Sequence, residues 1–298
     1  DRDFAPRSDD DQYILYTGGT TGMPKGVMWR HEDFFKATIG PMMSVLEPPI
    51  EREEELAERA PDRNPQVGFP LAPLMHGAAQ WAGINSALGG HRMVLSATRG
   101  MDPVEVWKII GDEGVQVMNI VGDAQARPLI EQLEELGDSA DTSTIFIIAS
   151  GGAILSPAVK EKFAELLPNT ILIDAIGASE TGFQGSSSGA DDAGRPQFTF
   201  GDHTIVLDDE VIEIGGCRFF GSTLWTDFSG GDPAALDGVR RRMGEYFFVR
   251  MRAEPDASGR RPKFRPEDAL AAHLRGRAAL DVALANAGGK ATIVITHH

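Results

Sequence analysis

The chain is 298 residues long, 42% apolar and 24% charged, with a formal net charge of −16 at pH 7. This is the composition of a soluble globular protein with one or two cores, and such acidity argues against a nucleic-acid or anionic-membrane partner. No apolar run approaches the roughly eighteen residues of a membrane span, and "DRDFAPRSDDDQ" at the start has neither a basic region nor an apolar signal core, so no transmembrane segment and a cytoplasmic location are expected. The single cysteine, Cys217, rules out an internal disulfide framework and a cysteine-built zinc site.

The first distinctive stretch is "ILYTGGTTGMPKGVMW", residues 14 to 29. Backbone amides in a glycine-rich turn can converge on an anion, where a side chain would obstruct them. Thr17, Thr20 and Thr21 add hydroxyl donors, and Lys25 adds a point charge suited to phosphate oxygens. A Walker loop needs Ser or Thr directly after Gly-Lys, whereas Lys25 lies between Pro24 and Gly26, which disfavours an ordinary P-loop NTPase. Composition alone therefore gives a polyphosphate loop, or a structural glycine turn joining two strands.

Next, "EPPIEREEELAERAPDRNPQ" (47 to 66) is proline-flanked and acidic, an exposed loop with a short helix. From residue 100 to 182 apolar runs alternate with helical patterns. "MDPVEVWKIIGDEG" opens with Asp102 as N-cap and Pro103 at the first helical position. "VQVMNIVG" reads as a buried strand, "AQARPLIEQLEELG" as a helix and "STIFIIAS" as a second strand. "SPAVKEKFAELLP" is a helix capped by Ser156, and "NTILIDAIG" is the next strand. Strands alternating with helices predict an α/β fold with a mostly parallel sheet flanked by helices, and ligands bind beyond the carboxyl ends of such strands.

Residues 184 to 202, "QGSSSGADDAGRPQFTFGD", read as a flexible connection. Beyond them lie short alternating strands with a Gly-Gly turn and then Arg- and Ala-rich helices, which predict a smaller α/β segment. Charge changes at the same place: residues 1 to 199 hold 15 Lys+Arg against 30 Asp+Glu, and residues 200 to 298 hold 13 against 14. Two domains are expected, 1–200 and 201–298. The basic run Arg240 to Arg242 reads as a solvated helix face.

"YTGGTTGMPKGV" resembles the signature loop of the adenylate-forming acyl-CoA synthetase (AMP-binding) family. Family-like segments follow in order: "PLAPLMHGAAQW" at 70 to 81, "SGGAILSP" at 150 to 157 and "DAIGASETG" at 174 to 182. The resemblance covers about residues 10 to 200, part of the family's large domain, and is nearest to actinobacterial fatty-acid or sterol-side-chain acyl-CoA synthetases. It implies ATP-dependent activation of a small-molecule carboxylic acid to an acyl-adenylate and then to acyl-CoA, with ATP, Mg²⁺ and CoA.

The same resemblance assigns Thr17, Gly18, Gly19, Thr20, Thr21, Gly22 and Lys25 to the ATP phosphates. Gly151, Gly152 and Ala153 would line the adenine pocket, with Asp174, Ala175, Ile176 and Gly177 as another wall. Ser179 would contact the α-phosphate and Glu180 would bind Mg²⁺. His76 would stand at the carboxylate entrance, with Trp81 and Gly177 along the acyl tunnel. Ile176 occupies a position where many family members have an aromatic ring beside adenine.

The resemblance also implies that the preceding half of the large domain and the small lysine-bearing domain are missing, leaving a non-catalytic nucleotide-binding remnant as the alternative. A sheet lacking its neighbours would expose edges and apolar faces, favouring poor solubility, partner association or oligomers. The last hundred residues, with "EVIEIGGCRFFGSTLWTDF" and "KATIVITHH", resemble pieces of a calcineurin-like metallophosphoesterase. That resemblance implies a buried strand before a metal-binding His297, with Mn²⁺ or Fe²⁺ as the metal and phosphoester hydrolysis as the reaction. The upstream ligand segments of that family do not occur in the chain, and the join near residue 200 reads as a natural rearrangement, a gene-prediction or assembly artefact, or an engineered chimera.

Overall fold

The computed structural model describes residues 6–17, 24–45, 48, 50, 52–187, 189, 197–201, 204–223, 226–241 and 262–296, and contacts divide the chain into two units, Asp1–Thr204 and Ile205–His298.

The first unit opens with β1 (Gln12–Thr17) and β2 (Lys25–Arg30), an antiparallel pair in which Tyr13 faces Trp29 and Thr17 faces Lys25. Alternation along β1 buries Leu15 and exposes Ile14 and Tyr16. There follow α1 (His31–Phe34), a π-helical turn Phe35–Ile39 and α2 (Gly40–Met43). The acidic stretch contains the expected short helix, α3 (Glu54–Arg59). Leu15, Phe34, Ile39, Met43, Ile50 and Leu56 share one apolar cluster with Trp81, which belongs to α4 (Gly77–Leu88). The hairpin is thereby attached at the N-terminal end of α4.

Among the described residues the main sheet has seven strands: β3 (Val67–Pro70), β4 (Arg92–Met93), β5 (Val117–Ile120), β6 (Ile147–Gly151), β7 (Ile171–Ala178), β8 (Gly182–Ser187) and β9 (Thr199–Phe200). Their order is β4-β3-β5-β6-β7-β8-β9; pairs from β4 to β7 are parallel, whereas β8 and β9 join antiparallel. Three helices alternate with the parallel strands, α5 (Pro103–Glu113), α6 (Gly122–Leu136) and α7 (Pro157–Leu166). Asp102 caps α5 by accepting from the Val104 and Glu105 amides, and Gly114 ends it in the left-handed conformation at φ 62°.

Met118, Ile120 and Ile148 point to one face of the sheet and pack with Trp107, Leu129 and Phe163 of the three helices. The Trp107 indole donates to the Leu129 carbonyl at 2.9 Å, so the largest core ring leaves no buried donor unpaired. The opposite face carries Val117, Asn119, Ile147, Ala149, Ile173 and Ala175, because successive strand residues alternate sides.

The structure departs from the expected flexible connection at 184 to 202. β8 and β9 extend the sheet through parts of it, and their Gly- and Ser-rich sequence hides the alternation that marks a strand. Residues 188, 190–196, 202 and 203 lie outside the described set.

In the second unit β10 (Glu210–Ile214) pairs antiparallel with β11 (Cys217–Ser222) across Gly215 and Gly216, at φ 57° and 81°, the double left-handed turn that a two-residue hairpin needs. β12 (Thr292–Thr296) pairs parallel with β11. It was expected to be buried, but among the described residues it is an exposed strand at the edge beside β11, with Ile293 and Ile295 in solvent. Among the described residues a left-handed turn Phe228–Gly231 precedes α8 (Pro233–Arg240) and α9 (Pro266–Ala285), with Phe228 and Ala269 at their core. Arg240 pairs with Glu267 and Arg241 with Asp237, so these members of the basic run lie in surface ion pairs. Among the described residues no helix is long and apolar enough to cross a membrane.

Candidate active site

A cavity of about 780 Å³ lies against the sheet face that α5, α6 and α7 leave uncovered. Its floor is Val117, Asn119, Ile147, Ala149, Gly151, Ile173, Ala175 and Gly177, and its sides include His76, Trp81 and Asn85 of the α4 region and Met42 and Met43. Small residues on the strands leave the volume open: a Cβ at Gly151 would meet Ala175 at 3.5 Å.

The carboxyl ends of β6 and β7 form one rim. Gly151 and Gly152 leave β6, and a tight network fixes the loop they begin. Gly122 donates to Ser150 Oγ at 3.0 Å, Asp123 donates its amide to the Ile154 carbonyl at 3.0 Å, and Asp123 Oδ1 accepts from the Ser156 amide at 2.7 Å. Gly122 is required here: its φ is 54°, and a Cβ would stand 2.7 Å from the Ile154 carbonyl oxygen. Burial works to raise the Asp123 pKa, but hydrogen bonding from Ser156 and the paired Arg127 hold it below the ordinary aspartate value. Ser156 occupies the N-cap of α7 as expected, yet its side chain makes no cap bond. The Gly122–Asp123 clamp was missed by sequence reasoning, although a Gly-Asp pair between a strand and a helix is a recognisable turn and first-turn signal.

On β7 the register shifts between Ile176 and Gly177, and the strand turns back at Ala178–Gly182. Thr181 donates its amide to the Ala178 carbonyl at 3.1 Å, and Gly182 adopts φ 75°, the arrangement of a three-residue hairpin loop closed by a glycine bulge. Ser179 and Glu180 form the tip, with Glu180 exposed. The Trp29 indole donates to the Ser179 carbonyl at 2.8 Å, joining this tip to β2. Sequence reasoning missed that bond as well.

The structure brings His76, Trp81, Gly151, Gly152, Ala175, Ile176, Gly177 and Ser179 into the lining of one cavity. Asp174 points to the other face, where its carboxylate pairs with Lys160 of α7. Ala153 and Glu180 are exposed beside the rim, and Thr17 and Lys25 close the hairpin, with Thr17 Oγ1 donating to the Lys25 carbonyl at 3.4 Å. Gly18, Gly19, Thr20, Thr21, Gly22 and His297 lie outside the described residues. Among the described residues no three His, Cys, Asp or Glu side chains converge as a metal site.

The profile of the AMP-binding enzyme family matches residues 2–212. The chain belongs to this AMP-binding family. A medium/long-chain-fatty-acid and 3-oxocholest-4-en-26-oate CoA ligase of Mycolicibacterium smegmatis is 45% identical over 220 residues, 72% of this chain and 40% of that protein. The 3-oxocholest-4-en-26-oate CoA ligase of Rhodococcus rhodochrous is 43% identical over 217 residues, 70% of this chain and 39% of the relative. The inhibitor-bound N-terminal domain of FACL13 from Mycobacterium tuberculosis is 25% identical, with a TM-score of 0.47 over 60% of this chain and 40% of that one. The chain thus spans about 40% of the length of the curated AMP-binding relatives it matches.

Proposed function

We propose that the chain carries out, or is part of a protein that carries out, ATP-dependent activation of a fatty or related carboxylic acid to an acyl-adenylate and then to acyl-CoA. The observation that carries this reading is the cavity that runs along the sheet to a glycine-lined rim at the strand carboxyl ends, where the Ser179 turn is bonded to the Lys25 hairpin. Relatives named as fatty-acid and cholestenoate CoA ligases support the substrate class.

In this reading a carboxylate oxygen attacks the α-phosphorus of ATP, the bond to the bridging oxygen breaks, and pyrophosphate leaves. The CoA sulfur then attacks the acyl carbonyl and AMP departs. The carboxylate is already a nucleophile, so the protein's task is alignment and charge stabilisation. Thr17 to Gly22 and Lys25 hold the leaving phosphates, and Ser179 binds the α-phosphate. Gly151, Gly152, Ala153 and the Ala175–Gly177 wall receive adenine. His76 orients the carboxylate, and Trp81 and Gly177 flank the acyl chain.

Glu180 suits Mg²⁺ delivered with the nucleotide, since one exposed carboxylate at the rim and phosphate oxygens are the usual ligand set for this ion. When bound, the ion neutralises charge developing on the phosphates. The test is acyl-hydroxamate formation from ATP, Mg²⁺, a fatty acid and hydroxylamine. Product is expected with the unaltered chain and is lost in Lys25→Ala. Saturable ATP binding with no hydroxamate would instead establish a non-catalytic nucleotide-binding remnant.

A further inference from the structure

Two residues that face each other across the β1–β2 hairpin reach different sides of the cavity. Trp29 of β2 is bonded to the Ser179 turn at the rim. Its cross-strand partner Tyr13 extends to α4, where the Tyr13 hydroxyl donates to Gln80 Oε1 at 2.5 Å. Gln80 in turn donates its backbone amide to the His76 carbonyl at 3.1 Å, and its neighbour Trp81 lines the cavity. Two residues further along β1, Leu15 completes the contact, since a Cβ on Gly77 would stand 3.0 Å from Leu15 Cδ2. The hairpin is thus a brace between the helix that starts at His76 and the rim that carries Ser179.

The Tyr13 hydroxyl is suited to this task. Burial pushes its pKa up, against an opposing effect of the Trp81 indole, so it stays protonated and able to donate at neutral pH. The ring rests on Phe34 with centroids 4.6 Å apart. Deleting the hydroxyl leaves that packing in place and removes only the tie to α4. Tyr13 and Gln80 are not part of the cavity lining, so neither contacts a ligand bound there.

The acyl-adenylate reading puts the acid's carboxylate at His76 and the α-phosphate at Ser179, and attack needs the reacting atoms within about 3–3.5 Å and in line. We infer that Tyr13 is a positioning residue which, through Gln80, holds the carboxylate side of the cavity in register with the α-phosphate side. The inference rests on that reading. Its effect falls on the separation of the two subsites and not on the affinity of either one.

The test is calorimetric titration of the unaltered chain and of Tyr13→Phe with three ligands: AMP, octanoate, and octanoyl-sulfamoyl adenosine, which joins both parts and whose sulfamoyl group stands in for the α-phosphate. In the variant the joined analogue is expected to bind roughly five- to tenfold more weakly, the effect of one net hydrogen bond, while AMP and octanoate each change less than about twofold. Gln80→Leu should give the same split, and the double variant no further loss, because both changes delete one bond. Unchanged affinity of Tyr13→Phe for the joined analogue overturns the inference. So does an equal weakening of AMP or octanoate, which assigns Tyr13 to local stability alone, and so does a double variant weakened by the product of the two single effects. Binding of neither the parts nor the joined analogue to the unaltered chain overturns the acyl-adenylate reading itself, and this inference with it.

Discussion

The Trp29 indole Nε1 donates to the Ser179 carbonyl oxygen at 2.8 Å, joining residues 150 positions apart. Through this bond the strand that begins at Lys25 is held to the turn that carries Ser179 and Glu180. The Trp29 ring also packs edge-on against Phe34 at 6.2 Å, so donor and packing can be separated. Trp29→Phe keeps a ring and deletes the donor. It is expected to lower unfolding stability by about 1 kcal/mol and to weaken binding of an acyl-sulfamoyl adenosine several-fold. Calorimetry and denaturant unfolding measure both; unchanged affinity would show that the turn is positioned without Trp29.

Two glycines at the rim should respond in opposite ways. Gly182 has φ 75°, and a Cβ there would lie 2.5 Å from the Ala37 carbonyl oxygen and from Thr38 Oγ1. Gly182→Ala combines left-handed strain of about 1–2 kcal/mol with a collision against backbone, so denaturant unfolding should show a loss of at least about 2 kcal/mol. At Gly151 the nearest atoms to an added Cβ are at 3.5 Å, ordinary contact, and the position faces the cavity. Gly151→Ala is expected to leave stability near that of the parent and to weaken binding of the adenosine analogue. The opposite pattern would place the structural requirement at Gly151.

Much of this arrangement is legible in the chain as written. The alternation between residues 100 and 182 gives the parallel strands and their helices, and Asp102-Pro103 marks a helix start that the Val104 and Glu105 amides complete. The ordered strings around His76, Gly151 and Gly177 name residues that line one cavity. Which sheet face holds the cavity is not legible. Ile147 and Ile148 are both apolar, because each face is covered by something, and a continuous apolar run carries no period-two signal. The bonds that fix the rim, Trp29 to Ser179 and Asp123 to Ser156, join distant segments and leave no local pattern. Asp174 reads as a pocket residue from its string, but strand alternation turns its side chain to Lys160.

Asp123 makes the rim sensitive to acid. Burial alone would raise its pKa, and hydrogen bonding from Ser156 together with Arg127 brings it below the ordinary value. A folded pKa below the unfolded one means that the unfolded chain binds the proton more readily. The contribution is fully present above the unfolded value of about 3.9 and is lost as pH falls through the lower folded value. Asp123→Asn keeps an oxygen for the Ser156 amide and removes the charge. The difference in Tm between parent and variant should hold steady above about pH 5 and shrink toward zero below about pH 3. A difference that grew on acidification would assign the stabilisation to another group.

Lys160 of α7 and Asp174 of β7 form an ion pair with side chains only 19% and 12% exposed, immediately before the Ala175–Gly177 wall. Neither charge touches the cavity among the described residues, so the pair acts on the site only through the backbone it anchors. Lys160→Met removes one partner and leaves the Asp174 carboxylate buried without its cation. The expected loss is about 2–3 kcal/mol, with weaker binding of the adenosine analogue as the β7 end loosens. Replacing both residues, Lys160→Met with Asp174→Leu, removes the stranded charge and should recover part of that stability, since an apolar pair avoids desolvating either ion. Denaturant unfolding of the two single variants and the double variant gives the coupling directly. If the double variant is no more stable than Lys160→Met alone, the loss comes from packing of the lysine stem and not from an uncompensated carboxylate.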